Sequence, residues 1–257
     1  MNFAPSPRPV HVVVLAAGRG SRLGALGDAT PKWLLEVGGR TLADRHLEAF
    51  AAAGGAVASV RVVTGHAATA IIHELADSPQ VDEVVHNPQY ATRNNWWSLL
   101  LALRRLPAGE PVAVVNADLL ADPDAVASFL VAAANGPAEG LLAVDLQRLL
   151  TDESMKVQLD DGGALSRIGK VGIAAPVGEY VGLLMARGRV LTALRAALER
   201  FADCPASFDE WYEGAVGATA ATGHRWEVWP MPSSGWVEID DDADLDLART
   251  VAAGAPA

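Results

Sequence analysis

Val10-His11-Val12-Val13-Val14-Leu15-Ala16, followed at once by Ala17-Gly18-Arg19-Gly20-Ser21-Arg22-Leu23-Gly24, decides the fold. The first seven residues are a nearly continuous apolar, β-branched run, the pattern of a strand buried within a parallel sheet. The glycines behind it let backbone N–H groups close on an anion. Arg19, Arg22 and the Pro31-Lys32 pair then gather three cations on one loop of an acidic chain. That combination points to a polyphosphate site rather than a loop that merely turns. The spacing is G-x-G-x-x-x-G, not the dinucleotide G-x-G-x-x-G, and no G-x-x-x-x-G-K-[ST] occurs. The second strand ends at Thr64-Gly65 with no acid to hold a ribose, which disfavours an NAD-dependent oxidoreductase.

Outward from this stretch, the pattern alternates. Leu42 to Ala53 has helical spacing and stops at Gly54-Gly55; Val57 to Thr64 is a strand; His66 to Ala76 is a helix; Val81 to Val85 is a short strand. Asn94 to Arg105 is a helix, Pro111 to Asn116 a buried strand, and Asp122 to Ala134 a helix. The second half changes character. Met155 to Leu159 and Ala164 to Ile168 form a hairpin over Asp160-Asp161-Gly162-Gly163. Glu179 to Ala186 is a strand, Val190 to Phe201 and Asp209 to Ala221 are helices, Arg225 to Trp229 is a strand, and Asp242 to Ala253 is a final helix. The expectation is an α/β fold: a three-layer, doubly wound, mostly parallel sheet with a C-terminal α+β extension. With no repeat or long linker, residues 1–257 read as one domain. It has a flexible lead-in over 1–9 and two halves, 10–144 and 145–257.

Among the 257 residues 51% are hydrophobic, which excludes disorder as the main state. Cys204 is the one cysteine, so no disulfide scaffold is available. No apolar run approaches the roughly 20 residues of a membrane span, and the first residues lack a signal-peptide profile; a cytoplasmic protein is expected. The net charge of −11 repels nucleic acid and anionic membranes. Self-association into a homo-oligomer is left open.

Asn116-Ala117-Asp118 falls at the C-terminal end of a buried strand, where open α/β sheets bind ligands. A carboxylate at Asp118 is either a turn cap or a ligand for Mg²⁺, which prefers oxygen. In Glu238-Ile239-Asp240-Asp241-Asp242, strand alternation puts Glu238 and Asp240 on one face, while Asp242 reads as the cap of the last helix. His11, His46, His66, His73, His86 and His224 show no metal-ligand spacing and read as structural.

Taken together, Leu15 to Leu23 (LAAGRGSRL) and Pro31 to Leu42 (PKWLLEVGGRTL) resemble the signature of the sugar-phosphate and alcohol-phosphate nucleotidylyltransferases. Asn87 with Asn94-Asn95-Trp96-Trp97-Ser98-Leu99, Asp152-Glu153 with Met155-Lys156-Val157, Ile168-Gly169-Lys170 and Glu179-Tyr180-Val181-Gly182 resemble the phosphocholine, phosphonate and inositol-phosphate cytidylyltransferases. The matches run from about Val12 to Ala248, and the resemblance implies a nucleotide-binding half over 10–144 and an acceptor-binding, metal-completing half over 145–257.

This resemblance implies transfer of a nucleotidyl group, CMP from CTP, to a small phosphate or phosphonate, with Mg²⁺ as cofactor and pyrophosphate released. Sugar-1-phosphate nucleotidylyl transfer from another NTP, and a non-catalytic nucleotide-binding regulator, are the alternatives. By the same resemblance Ala16, Ala17 and Gly18 lie against the base, with Gly20, Ser21, Asn87, Asn94 and Ala117 as further nucleotide contacts. Arg22 holds the β/γ-phosphates, Lys32 the α-phosphate, and Asp118 and Asp240 the metal, Glu238 supporting. Lys170 reaches the acceptor phosphate, and Lys156, Glu179, Trp97 and Trp211 join it at the acceptor. A solvated lysine, or a tryptophan that only packs, is the plainer reading of Lys156, Lys170, Trp97 and Trp211. Where the tryptophans act, a cation over the ring is their chemistry.

Overall fold

The computed structural model describes residues 7–76 and 78–254. Most of the expected lead-in, residues 1–6, lies outside the described residues. Within it, Arg8 is tied down, its N–H donating to the Ala134 carbonyl at 3.0 Å. The strands are β1 (Val10–Ala16), the hairpin β2 (Glu36–Val37) and β3 (Arg40–Thr41), β4 (Val57–Thr64), β5 (Glu83–His86), β6 (Val112–Asn116) and β7 (Leu119–Leu120). They continue with β8 (Gly140–Asp145), β9 (Lys156–Leu159), β10 (Leu165–Gly169), β11 (Gly178–Ala186), β12 (Glu227–Pro230) and β13 (Val237–Glu238). The helices are α1 (Gly24–Ala29), α2 (Leu42–Ala53), α3 (Ala68–Glu74), α4 (Asn95–Arg105), α5 (Pro123–Asn135), α6 (Gly188–Ala202), α7 (Tyr212–Ala221) and α8 (Asp242–Ala252).

Nine strands form the central sheet. Its spine is β5-β4-β1-β6-β11-β8-β12, and the β9–β10 hairpin joins the first residues of β11 beyond the end of β6. The sheet is mixed and mostly parallel: β10 and β11 run against the other strands. The chain moves outward from β1 to β4 and β5, then returns to place β6 on the other side of β1. The carboxyl ends of β1 and β6 therefore flank a topological switch point, the crevice where such sheets bind ligands.

Alternation along β1 builds both layers. Val10, Val12, Val14 and Ala16 pack with Phe50 of α2, Phe129 and Leu130 of α5 and Leu245 of α8. Val13 packs on the opposite face with Leu100 of α4, Leu194 of α6 and Val216 of α7. Trp33, Trp96, Trp226 and Trp236 are core residues. Among the described residues no helix is long and apolar enough to cross a membrane.

Two expectations are corrected. The run Gly140 to Asp145, passed over in the sequence, is β8, buried along its whole length between β11 and β12. The cap of the last helix is Asp241, not Asp242: its Oδ1 accepts from Ala243 N at 2.9 Å and Asp244 N at 3.0 Å.

Beside the crevice, β11 carries an irregularity in its pairing with β8 between Tyr180 and Leu184. Gly182 there has φ +78°, and a Cβ at this position would meet Asn116 Nδ2 at 2.8 Å. Gly182→Ala adds a left-handed strain and a clash at one point. It should lower unfolding free energy by about 1–3 kcal/mol in urea denaturation, and an unchanged midpoint would show that β11 yields freely.

Candidate functional site

The glycine loop turns by means that only glycine permits. Gly20 has φ +64°, and a Cβ on Gly27, at the heart of α1, would lie 2.2 Å from the Gly20 carbonyl oxygen. The loop thus closes on itself and carries Arg19, paired to Asp28 at 2.8 Å, and Arg22.

Asp118 lies two residues past the end of β6. Asp240 reaches it by a separate two-stranded ribbon in which Glu238 pairs with Leu119 and Val237 with Leu120. Ile239 N donates to the Asp118 carbonyl at 3.0 Å and completes the register. The strands that bring the two aspartates together are therefore β7 and β13, outside the main sheet. The backbone of Asp240 is fixed further by the α8 capping box, whose Asp244 Oδ2 accepts from Asp240 N at 3.0 Å.

Two carboxylates so close repel unless a cation stands between them. Lys32 Nζ does so, at 2.9 Å from Asp118 Oδ2 and 2.6 Å from Asp240 Oδ1. Arg22 Nη2 takes the other Asp240 oxygen at 3.1 Å. Burial alone would depress the Lys32 ammonium, but the charges of Asp118 and Asp240 outweigh it and raise it above its ordinary range. Burial pushes the Asp240 carboxyl upward, and Lys32 and Arg22 reverse this and hold it below its usual range. Glu238, behind the pair, is pushed up to about 8 by burial and by the charges of Asp118 and Asp240.

A buried histidine backs this cluster. His46, on α2, accepts at Nδ1 from Trp33 Nε1 at 3.0 Å, so its Nε2 carries the proton and donates to the Leu119 carbonyl at 2.7 Å. The residues it joins are the chain neighbours of Lys32 and Asp118. Burial depresses its pKa to about 4, which keeps the imidazole neutral.

The cleft above the cluster encloses about 250 Å³ and is lined by Gly18, Arg22, Asn94, Asp118, Lys170, Trp211, Glu238 and Asp240, among others. Ala16, Gly20, Lys32 and Ala117 border a small recess beside it, and Ala17 borders another with Asn94. Ser21 is exposed in the short turn after Gly20. Lys170 is held by Glu153 at 2.8 Å and stands 4.7 Å from the Trp211 ring centroid.

Other residues singled out in the sequence stand apart. Asn87 is fully buried, its amide spent on Ser98 Oγ at 2.9 Å and on Gln89 N at 2.8 Å. Trp97 is covered by the Arg93 and Arg104 guanidinium groups, 4.2 and 5.2 Å from its ring centroid. The Lys156 ammonium donates to the Lys170 carbonyl at 2.8 Å, so it braces the loop that presents Lys170. Glu179 is buried beside Arg148 at 3.6 Å, and burial raises its pKa.

The sequence reading missed a polar chain along the cleft wall. Tyr180 OH donates to Tyr212 OH at 2.8 Å, Tyr212 OH to Asn116 Oδ1 at 3.0 Å, and Asn116 Nδ2 to Glu238 Oε1 at 3.3 Å. Asn95, whose Oδ1 accepts from Tyr212 N at 2.9 Å, and Glu213 complete that wall. Asn116 was visible two residues before Asp118. Tyr212 and Glu213 carried no local signal, because burial singles them out.

The switch-point crevice thus brings the glycine loop, the half-buried Lys32 and the paired carboxylates together. Residues 12–211 match the MobA-like NTP transferase domain, and the chain belongs to that family. It is 32% identical over 251 residues to the CMP-5'-(3-aminopropyl)phosphonate synthase of Streptomyces rubellomurinus, covering 93% of this chain and 38% of that protein. It is 33% identical over 126 residues to the N-acetylmuramate alpha-1-phosphate uridylyltransferase of Neisseria meningitidis serogroup B, covering 48% of this chain and 53% of that one. The chain thus spans about two fifths and about half of the lengths of these two relatives. In fold it is similar to the CTP:phosphocholine cytidylyltransferase of Streptococcus pneumoniae, with TM-score 0.75 and 18% identity over 95% of this chain and 99% of that one. The inositol-1-phosphate CTP transferase of T. maritima is similar too, with TM-score 0.74 and 19% identity over 98% and 99%.

His46→Leu removes the acceptor for Trp33 and the donor to Leu119 together. Each buried group left unpaired costs about 1–3 kcal/mol. The variant should unfold at correspondingly lower urea concentration with an unchanged circular dichroism spectrum, and wild-type stability would show that His46 bears no load.

Proposed function

We propose that the chain catalyses transfer of CMP from CTP to an oxygen of a small phosphate or phosphonate. The observation that carries this reading is the convergence of Lys32, Arg22, Asp118 and Asp240 beneath the glycine loop, beside a cleft that continues past Lys170. An acceptor oxygen attacks the α-phosphorus, a P–O bond forms, and the bond to the β-phosphate breaks with its electron pair leaving on pyrophosphate. No covalent protein intermediate is needed, since such transfers rest on positioning and charge neutralisation.

The family's use of a divalent metal agrees with the donor set. Asp118 and Asp240 already converge on one ammonium with Glu238 behind them, an all-oxygen arrangement that suits Mg²⁺. Among the described residues no ready-made cluster of three or more His, Cys, Asp or Glu is present, so phosphate oxygens would complete the coordination. Bound there, Mg²⁺ would neutralise triphosphate charge. Lys32, paired to both carboxylates, is placed to share its charge with the α-phosphate, and Arg22 with the β- and γ-phosphates. The loop backbone from Ala16 to Ser21 offers N–H groups to base and phosphates, with Asn94 and Ala117 at the rim. Lys170 meets the acceptor's anionic end and Trp211 flanks it. Asn87, Lys156, Glu179 and Trp97, as placed, act on these groups only through the loops they brace.

CTP is favoured over other nucleotides by the cytidylyl transfer named for the Streptomyces rubellomurinus relative, which also makes aminoalkylphosphonates acceptors to try. The Neisseria meningitidis relative favours a second reading, uridylyl transfer to a sugar 1-phosphate. Convergence of the charged cluster argues against a non-catalytic regulator.

A pyrophosphate-release assay of four NTPs against phosphonates, phosphocholine, inositol phosphate and sugar 1-phosphates separates these readings. CTP with a phosphonate should be turned over fastest; a clear preference for another NTP would overturn the cytidylyl assignment. EDTA, Asp118→Asn and Asp240→Asn should each abolish most turnover, and the two substitutions should be far from additive because they serve one cluster. Full activity under any of these conditions would remove the metal from the mechanism. Lys32→Ala should lower kcat/KM by about a hundredfold or more; near-normal turnover by the folded variant would exclude its catalytic role.

A further inference from the structure

Beyond Lys170 the cleft opens into a second cavity of about 420 Å³, bounded by Trp211, Ile168 and the carboxylates of Asp209, Glu210 and Glu213. Glu213 lines both spaces, together with Met155, Lys170 and Trp211. It is only 5% exposed, and its Oε2 has no hydrogen-bond partner among the described residues. The nearby Lys170 ammonium bonds to Glu153 at 2.8 Å and not to this oxygen. A buried carboxylate oxygen without a donor costs about 1–3 kcal/mol or more. A fold retains such a group where a ligand satisfies it.

We propose that Glu213 sets acceptor specificity: its Oε2 accepts a hydrogen bond from a primary ammonium at the far end of a short aminoalkyl phosphate or phosphonate. This rests on the nucleotidyltransferase reading above. The chemistry of the oxygen selects the ligand class. A quaternary ammonium has no N–H to give. A hydroxyl donates but brings no positive charge to set against an acid whose burial pushes it up to about 7. A primary ammonium donates and neutralises at once. The anionic head of such a molecule would then lie toward Lys170 and the charged cluster, where transfer takes place.

The test is an acceptor series with CTP, in wild type and in Glu213→Gln. It compares 2-aminoethylphosphonate with propylphosphonate, 2-hydroxyethylphosphonate and phosphocholine. Wild type should favour the primary amine by about tenfold or more in kcat/KM. Glu213→Gln should bring the ratio of amine to alkyl acceptor close to one, chiefly through the acceptor KM, while the KM for CTP stays as in wild type. Equal use of amine and alkyl acceptors by wild type would overturn the proposal. So would an unaltered ratio in the variant, or a preference for the hydroxyl or quaternary compound. If Glu213→Gln does not fold, Glu213→Asp takes its place: a reduced ratio supports the proposal and an unaltered one overturns it. Should no acceptor be turned over with any NTP, the reading of the reaction fails. Calorimetric titration of wild type and the Glu213 variant with 2-aminoethylphosphonate and with propylphosphonate then judges Glu213 by itself: a preference for the amine that the variant loses supports it, and equal or absent binding by wild type, or an unaltered preference in the variant, overturns it.

Discussion

One ammonium between two carboxylates holds the site together. Lys32 is 86 residues from Asp118 and 208 from Asp240, yet it bonds to both. Neither aspartate could stay beside the other, half out of water, without that charge. The surrounding devices exist to keep the three groups in register. The β7–β13 ribbon sets the spacing of the two backbones, and Asp244 pins the N–H of Asp240. His46 ties the chain next to Lys32 to the chain next to Asp118.

The sheet supplies the place, and β11 supplies the second wall. By running against its neighbours, β11 delivers Tyr180 toward Tyr212 and lets the β9–β10 hairpin extend the sheet past the end of β6. The loop that follows β10 then brings Lys170 over the cleft, braced by Lys156 and Glu153. The cleft over the charged cluster and the acidic, aromatic cavity beyond Lys170 both lie beside these elements.

Much of this was legible in the sequence. The β-branched run of β1, the helix Leu42–Ala53 and the strand Val57–Thr64 were read at their observed bounds, because strong periodicity ended at glycines or at a loop. The glycine loop, Lys32, Asp118 and Asp240 were singled out, and the structure brings them together. What stayed hidden depends on tertiary context. Gly140 to Asp145 is too short and too uniformly apolar to declare itself a strand. The two-residue ribbon has no periodicity at all. Trp97 and Asn87 look functional beside Asn94, but packing turns one under two arginines and the other into the interior. Glu213 matters only because its surroundings are buried, and burial is not written locally.

The distance of Asp240 along the chain from its partner bears on how the protein comes to be active. Contacts between residues far apart in sequence must close the largest loops, and they form only after more local structure has reduced that entropy. The β1-to-β6 half of the sheet is built from neighbours and can assemble early. The charged cluster cannot, since its last member waits for the β7–β13 ribbon and the cap of α8. Assembly of the cluster thus marks the end of folding: a molecule with its glycine loop in place but α8 undocked still lacks the anchored Asp240.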